Sequence, residues 1–313
     1  MGNKRLVALI GELRLPISYY LEGVVVLIQF KEVTKVYKSS KVKALDSFSA
    51  EINAGEIIGL IGKNGSGKTT LMNCLTNNIH ITSGEIFYEG QNLMDNKEKI
   101  AEFGILIESA FVDYLNAYQN LELLLLAEGV TDKKQIKEDV ERVLSLVGLI
   151  ERKKDFVKTF SFGMKQRLGL AQALLRDKKL LILDEPLVGL DVLGRDLVKS
   201  LIKDLAKKEG RAVIFSDHNL NEVKDVCDRI IYIDNGKKLF DDIFDDSKRY
   251  LISVDDSEKK HGSFPTFERK GDKIIVHDST QLNDVIISIT QQNLKIVDIE
   301  VSEPSLMTLF RGE

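Results

Sequence analysis

The sequence predicts an α/β fold built on a parallel sheet that carries a phosphate-binding loop. Three observations predict it. Ile57-Ile58-Gly59-Leu60-Ile61 is an apolar run short enough for a buried strand. Gly62-Lys63-Asn64-Gly65-Ser66-Gly67-Lys68-Thr69 follows at once and is a complete phosphate-binding loop. Thr70-Leu71-Met72-Asn73-Cys74-Leu75 then reads as the start of a helix, and strand, glycine loop and helix in that order give the pattern its context.

The loop's composition follows from its chemistry. Glycines let backbone N–H groups turn inward and approach phosphate oxygens. The helix start adds a partial positive charge that favours an anion. In such a loop Lys68 supplies an ammonium for the β- and γ-phosphates, the Thr69 hydroxyl can ligate Mg²⁺, and Gly62 through Thr70 form the cradle. A glycine-rich turn beside a chance lysine is the plainer alternative, and the flanking strand and helix argue against it. The substrate implied is a nucleoside triphosphate with Mg²⁺.

Leu27-Ile28-Gln29-Phe30 opens the first strand, which continues through Glu32-Val33. Residues 1–26 fit neither that strand nor an amphipathic helix. Glu22-Gly23-Val24 is encodable by a purine-rich ribosome-binding sequence and Leu27 by a TTG start codon. The expectation is a leader read as protein, with a true N-terminal extension left open. Thr131 can cap a helix in which Ile136, Val140, Val143, Leu144 and Val147 share a face, and Gly148 follows its end. Leu180–Leu183 and Ala212–Phe215 look like further buried parallel strands. Arg229–Ile233 is a strand followed by the hairpin signal Asn235-Gly236.

After about residue 245 the pattern changes. Tyr250–Val254 and Lys273–His277 read as strands, and Leu282, Val285, Ile286 and Ile289 mark a short helix. Val297, Ile299 and Val301 alternate with acids in a last strand. The predicted division is an extension over 1–26, a nucleotide-binding domain over 27–244 and a small α+β domain over 245–313.

Composition bounds the function. The 313 residues are 43% hydrophobic and 29% charged, ordinary for a chain with a real core. A net charge of −4 supplies no global basic field, so nucleic acid is not an expected partner. Cys74 and Cys227 make no disulfide framework and fit a reducing compartment. The most apolar stretch, Leu6 to Ile28, carries Glu12, Arg14, Pro16 and Glu22, which excludes a membrane span there.

A second set of residues completes the nucleotide chemistry. Leu180–Leu183 ends in Asp184-Glu185. Asp184 is placed to hold Mg²⁺, and Glu185 can act as general base on an attacking water. Two solvated acids at a strand end would be the ordinary reading, but the phosphate loop in the same chain makes the catalytic one the better.

These motifs resemble one family. Thr159-Phe160-Ser161-Phe162-Gly163-Met164-Lys165-Gln166-Arg167 resembles the signature motif of ATP-binding cassette (ABC) ATPases. Asp184-Glu185-Pro186 with Gly189-Leu190-Asp191 resembles the family's Walker B motif and D-loop, with Asp191 in the latter. The resemblance implies a switch role for His218, which alone would pass for a structural histidine. It implies adenine stacking for Tyr37, which alone would pass for packing. It runs from about Leu27 to Gly236 and implies a RecA-like core, a helical subdomain and binding of ATP with Mg²⁺. Glu303-Pro304-Ser305-Leu306 is similar to the C-terminal extensions of bacterial exporter ATPases.

Each motif also has a physical reason. Ser161 and Gly163 begin a helix whose apolar face is Met164, Leu168, Ala171 and Leu175, and such a start binds anions. The resemblance implies that Ser161, Phe162, Gly163 and Met164 serve the site of a second subunit. Two positions depart from the family pattern. Phe162 stands where a second glycine is usual, so close approach falls to Gly163. Glu108, in Gly104-Ile105-Leu106-Ile107-Glu108, stands where glutamine is usual, and its carboxylate could serve the metal. Both departures resemble the bacitracin-resistance branch of exporters.

The reading is an ABC-type ATPase subunit that hydrolyses ATP between two copies of itself. It would energise export through a separate integral membrane permease, at the cytoplasmic face of the cell membrane. The alternatives are a non-transport ABC ATPase acting on DNA or ribosomes, or a sensor-regulating module. Peptide antibiotic, lipid and drug stay open as cargo.

Overall fold

The computed structural model describes residues 25–38, 40, 42–243, 249–255, 268–270, 273–276, 281–291 and 294–302. Residues 1–24 of the expected leader, His277 and Glu303 to Leu306 lie outside the described residues. The chain forms two compact units, Met1–Ile243 and Phe244–Glu313.

In the first unit, β1 (Val26–Val36) pairs antiparallel with β2 (Lys43–Asn53) and with β4 (Ser83–Tyr88), which carries the short β5 (Gln91–Asn92). The second sheet has six strands. In it β3 (Ile57–Ile61) lies between β8 (Ala212–Asp217) and β9 (Arg229–Asp234), and β7 (Leu180–Leu183) lies between β8 and β6 (Phe103–Leu106). Those pairings are parallel; β10 (Lys237–Asp242) closes the edge antiparallel to β9. Asn235 and Gly236 have φ of 46° and 77°, the left-handed pair that a two-residue hairpin turn requires.

Every residue of β3, β7 and β8 is buried, which is why β3, β7 and the first four residues of β8 are written without polar side chains. Helix α1 (Lys68–Leu75) lies between the two sheets. Its Leu71, Met72, Cys74 and Leu75 share one core with Phe30, Phe48 and Tyr88 of the first sheet and with Ile58, Ile182 and Ile214 of the second. Burial on both sides fixes where the helix begins, and so where the phosphate loop sits.

Three helices form the helical region. In α2 (Ala117–Ala127), Asn116 and Gln119 make a reciprocal capping box. In α3 (Lys133–Leu146), the five apolar residues expected on one face are all buried. Its cap is Asp132, not Thr131: the Asp132 carboxylate accepts the Lys134 N–H at 2.8 Å. Asp and Thr are both good caps, and adjacent candidates are not separable by propensity. In α4 (Phe162–Ala173), Leu168 and Ala171 are buried and Met164 is partly so, while Leu175 is buried just past the helix end. Gly104 to Leu106 belong to strand β6, paired with β7, and Ile107 and Glu108 begin the loop that follows it. Two further helices, α5 (Val192–Glu209) and α6 (Leu220–Lys224), flank β8 in sequence.

The second unit is a four-stranded antiparallel sheet with one helix. Its strands are β11 (Arg249–Asp255), β12 (Glu268–Lys270), β13 (Lys273–Val276) and β14 (Lys295–Ser302). Val285 and Ile289 of α7 (Leu282–Gln291) cover Ile252, Val254, Ile274 and Val276. No helix of the described residues is long and apolar enough to cross a membrane.

Candidate functional site

The carboxyl ends of β3, β7 and β8 lie side by side, because Ile61 pairs with Asp217 and Leu183 with Phe215. Parallel sheets place ligand sites at this edge. The loop after β3 turns through Gly65 (φ 81°) and Gly67 (φ 117°). At Gly67 a Cβ would fall 2.6 Å from the Ala44 carbonyl oxygen, so no other residue fits there. Ser66 Oγ is buried and has no hydrogen-bond partner among the described residues.

A cleft of about 930 Å³ opens above this edge. Asn64, Gly65, Gly67, Lys68, Thr69 and Thr70 line it, together with Glu108, Phe162, Asp184 and Glu185. Lys68 is only 5% exposed, and its ammonium donates to the carbonyls of Gly62 at 2.7 Å and Lys63 at 3.2 Å. Burial pulls the Lys68 pKa below the ordinary lysine value, while Glu185, Asp184 and Asp217 pull it back up. The Thr69 hydroxyl donates to Asp184 Oδ2 at 2.6 Å.

These two hard oxygen donors, side by side at a phosphate loop, fit Mg²⁺. That ion takes one or two protein ligands and completes its shell with water and substrate phosphates. Among the described residues no cluster of three His, Cys, Asp or Glu could hold a metal alone.

Glu185 follows Asp184 in a left-handed conformation, φ 48°, uncommon for a residue with a Cβ. Its carbonyl accepts from Gln166 Nε2 at 3.0 Å. His218 stands beside it, Nδ1 to Oε1 3.7 Å, on an exposed loop outside the cleft wall. Tyr37 reaches the same neighbourhood, its hydroxyl 3.3 Å from Thr70 Oγ1. Asp191 caps α5 by accepting the Gly194 N–H at 2.8 Å.

The signature residues divide. Ser161 is exposed, caps α4 by accepting the Met164 N–H at 3.2 Å, and stands outside the cleft, as do Gly163 and Met164. Phe162 is 62% exposed and lays its ring over Gly189 of its own chain; a Cβ there would fall 2.1 Å from Phe162 Cδ1. A Cβ at Gly163 would meet the Gly189 carbonyl oxygen at 2.8 Å. Gly163 is thus required for the close approach of α4 to the segment preceding Asp191.

Sequence reasoning missed Ser216, Asp217 and Gln166. A buried polar pair ending the apolar run of β8 was the available signal for the first two.

A family profile described as ABC transporter matches residues 45–188. The bacitracin transport ATP-binding protein of Bacillus licheniformis is 34% identical over 302 residues, covering 91% of this chain and 96% of that one. This chain belongs to the ABC transporter ATP-binding proteins. An ABC transporter ATP-binding protein of Bacillus subtilis strain 168 is 32% identical over 91% of this chain and 94% of its own length. The lantibiotic transport ATP-binding protein of Streptococcus pyogenes is 35% identical over 71% of this chain and 93% of its own. Among solved structures, a dimeric ATP-binding cassette in a post-hydrolysis state with ADP and Pi matches with TM-score 0.65 and 25% identity, over 69% of this chain and 98% of that one. The protein is the ATP-binding, ATP-hydrolysing subunit of an ABC transporter. ABC subunits of this kind dimerise and work with membrane permeases.

Proposed function

We propose that this subunit powers export through a separate integral membrane permease, as a homodimer at the cytoplasmic face of the membrane. The observation that carries the dimer is the division of the motifs. Lys68, Thr69, Asp184 and Glu185 surround one cleft, while Ser161 of the same chain is exposed outside it. A helix start with a hydroxyl and backbone N–H groups, exposed beside the chain's own cleft, suits a phosphate held by a second copy. Two relatives are named for bacitracin and lantibiotic transport, which supports export and a peptide antibiotic as the cargo class.

In this reading residues 27–244 bind nucleotide and 245–313 form a small appended domain. Gly62 to Thr70 cradle the phosphates, Lys68 contacts the β- and γ-phosphates, and Tyr37 stacks on adenine. Thr69 and Asp184, assisted by Glu108, would hold Mg²⁺, and a metal there would supply positive charge against the phosphates. Glu185 takes a proton from the attacking water, and His218 contacts the γ-phosphate. Ser161, Phe162, Gly163 and Met164 close the site from the second copy, and Asp191 sits at the seam.

The test is Glu185→Gln, which keeps the shape and removes the base. ATP binding should persist while turnover falls by on the order of 10²–10⁴ fold. Uncleaved ATP should then hold two copies together in light scattering. A variant that hydrolyses normally, or stays monomeric with ATP, overturns the mechanism. Co-purification from membranes with a permease tests the transport role.

A further inference from the structure

Ser216 is completely buried, at 0% exposure, on β8 between Phe215 and Asp217. Its hydroxyl is engaged on both sides. It donates to Asp184 Oδ1 in a short contact and accepts the backbone N–H of Glu185 at 2.9 Å. The direction is forced, because a carboxylate only accepts and an amide N–H only donates. Asp184 is therefore held at both oxygens, by Ser216 at Oδ1 and by Thr69 at Oδ2. Glu185 is held at both ends of its backbone, N–H by Ser216 and carbonyl by Gln166, in a left-handed conformation.

Two successive carboxylates must do different work here. One must face the metal and its neighbour the water, although strand geometry alone would send them to opposite faces. The left-handed turn at Glu185 breaks that alternation. A buried hydroxyl on the neighbouring parallel strand is the group that ties the two residues together across the turn.

We propose that Ser216 is a positioning residue for hydrolysis, setting the Asp184 carboxylate toward the metal and the Glu185 backbone toward the cleft. The proposal rests on the reading of Asp184 and Glu185 given above. Ser216 is fully buried and does not line the cleft, so it acts through those two residues.

The experiment compares Ser216→Ala and Ser216→Thr in the full chain, using basal ATPase kinetics and the affinity of a fluorescent ATP analogue with and without Mg²⁺. For the alanine variant kcat should fall about ten- to hundredfold, the worth of a hydrogen bond to a charged group. The affinity without Mg²⁺ should stay within about twofold of wild type, and the tightening produced by Mg²⁺ should shrink several-fold, as expected when one charge-assisted contact is lost. The threonine variant keeps the hydroxyl and should be closer to wild type in both readouts. In a Glu185→Gln background, Ser216→Ala should slow hydrolysis much less than it does alone, since residues acting as a unit are not additive. Wild-type kcat in the alanine variant, alanine and threonine variants equally slow, or full additivity would each overturn the proposal. Normal hydrolysis by Glu185→Gln alone would instead overturn the assignment of Glu185, a separate result.

Discussion

Replacing Lys68 by methionine should spare the ligand-free stability while removing most of the stabilisation that ATP provides. Lys68 is 5% exposed, and burial holds its pKa below the usual lysine value. The direction means that the folded protein bears a cost for the charged form at pH below the folded pKa, a cost relieved as pH rises through it. Lys68→Met keeps the length, removes the charge, and leaves the Gly62 and Lys63 carbonyls without their donor. These effects offset, so ligand-free stability should stay within about 1 kcal/mol of wild type or rise.

Nucleotide binding should behave differently. Wild type with ATP at a hundred times its Kd gains about 2.7 kcal/mol, and a unit of this size melts about 2–4 °C higher per kcal/mol, which predicts a shift of about 5–11 °C. Loss of charge-assisted bonds to two phosphates weakens affinity by about a hundredfold or more. At the same ATP concentration the gain falls to about 0.4 kcal/mol, a shift of about 1–2 °C. Thermal melting with and without Mg-ATP reads both quantities. A full shift in the variant would remove Lys68 from the phosphates, and a large loss of ligand-free stability would refute the argument from burial.

Asp217→Asn keeps the acceptor that holds the Asn219 N–H at 2.8 Å and removes a buried charge. Burial raises the Asp217 pKa, so stability falls as pH rises from the ordinary carboxylate value through the folded one; the variant's melting advantage should grow over that window, and a pH-independent difference would contradict it. Glu108 lines the cleft, so Glu108→Gln should lower ATPase activity modestly and shift its Mg²⁺ requirement, whereas Glu108→Ala should weaken stimulation by the permease more than basal turnover. Wild-type Mg²⁺ curves for both would make Glu108 a surface acid. Gly189 has φ 75°, so Gly189→Ala should cost about 1–2 kcal/mol in urea unfolding, and adding Phe162→Gly should relieve the ring contact without recovering that backbone cost. A neutral Gly189→Ala would show that this segment can relax.

The legible parts of the fold are those where one physical constraint dominates. Strands β3 and β7 are buried on both faces and therefore read as unbroken apolar runs with the observed bounds. Strand β2 was not read. Its inward residues Leu45, Phe48, Ala50 and Ile52 lose their period of two where the chain bulges near Ser47, at φ 53°. The four residues of β6 are too few to show a period and were not read as a strand. At the site, Lys68, Thr69, Asp184 and Glu185 were visible because backbone approach, charge and metal chemistry restrict the residue types. Ser216 was not, since its role depends on the register of β7 against β8, which no local pattern encodes.

The placement of β3 between β8 and β9 also bears on how the protein is made. The phosphate loop leaves the ribosome attached to a strand whose two neighbours have not yet been translated. The chain between Ile61 and Ala212 takes on the order of ten seconds to synthesise. For most of that interval Lys68 has its loop but not Asp184 and Glu185, two of the carboxylates that favour its charge, and β3 has neither of its parallel neighbours. Nascent chains should therefore gain protection by ATP against proteolysis in one late step, after Asp234 has emerged, and chains ending earlier should gain none.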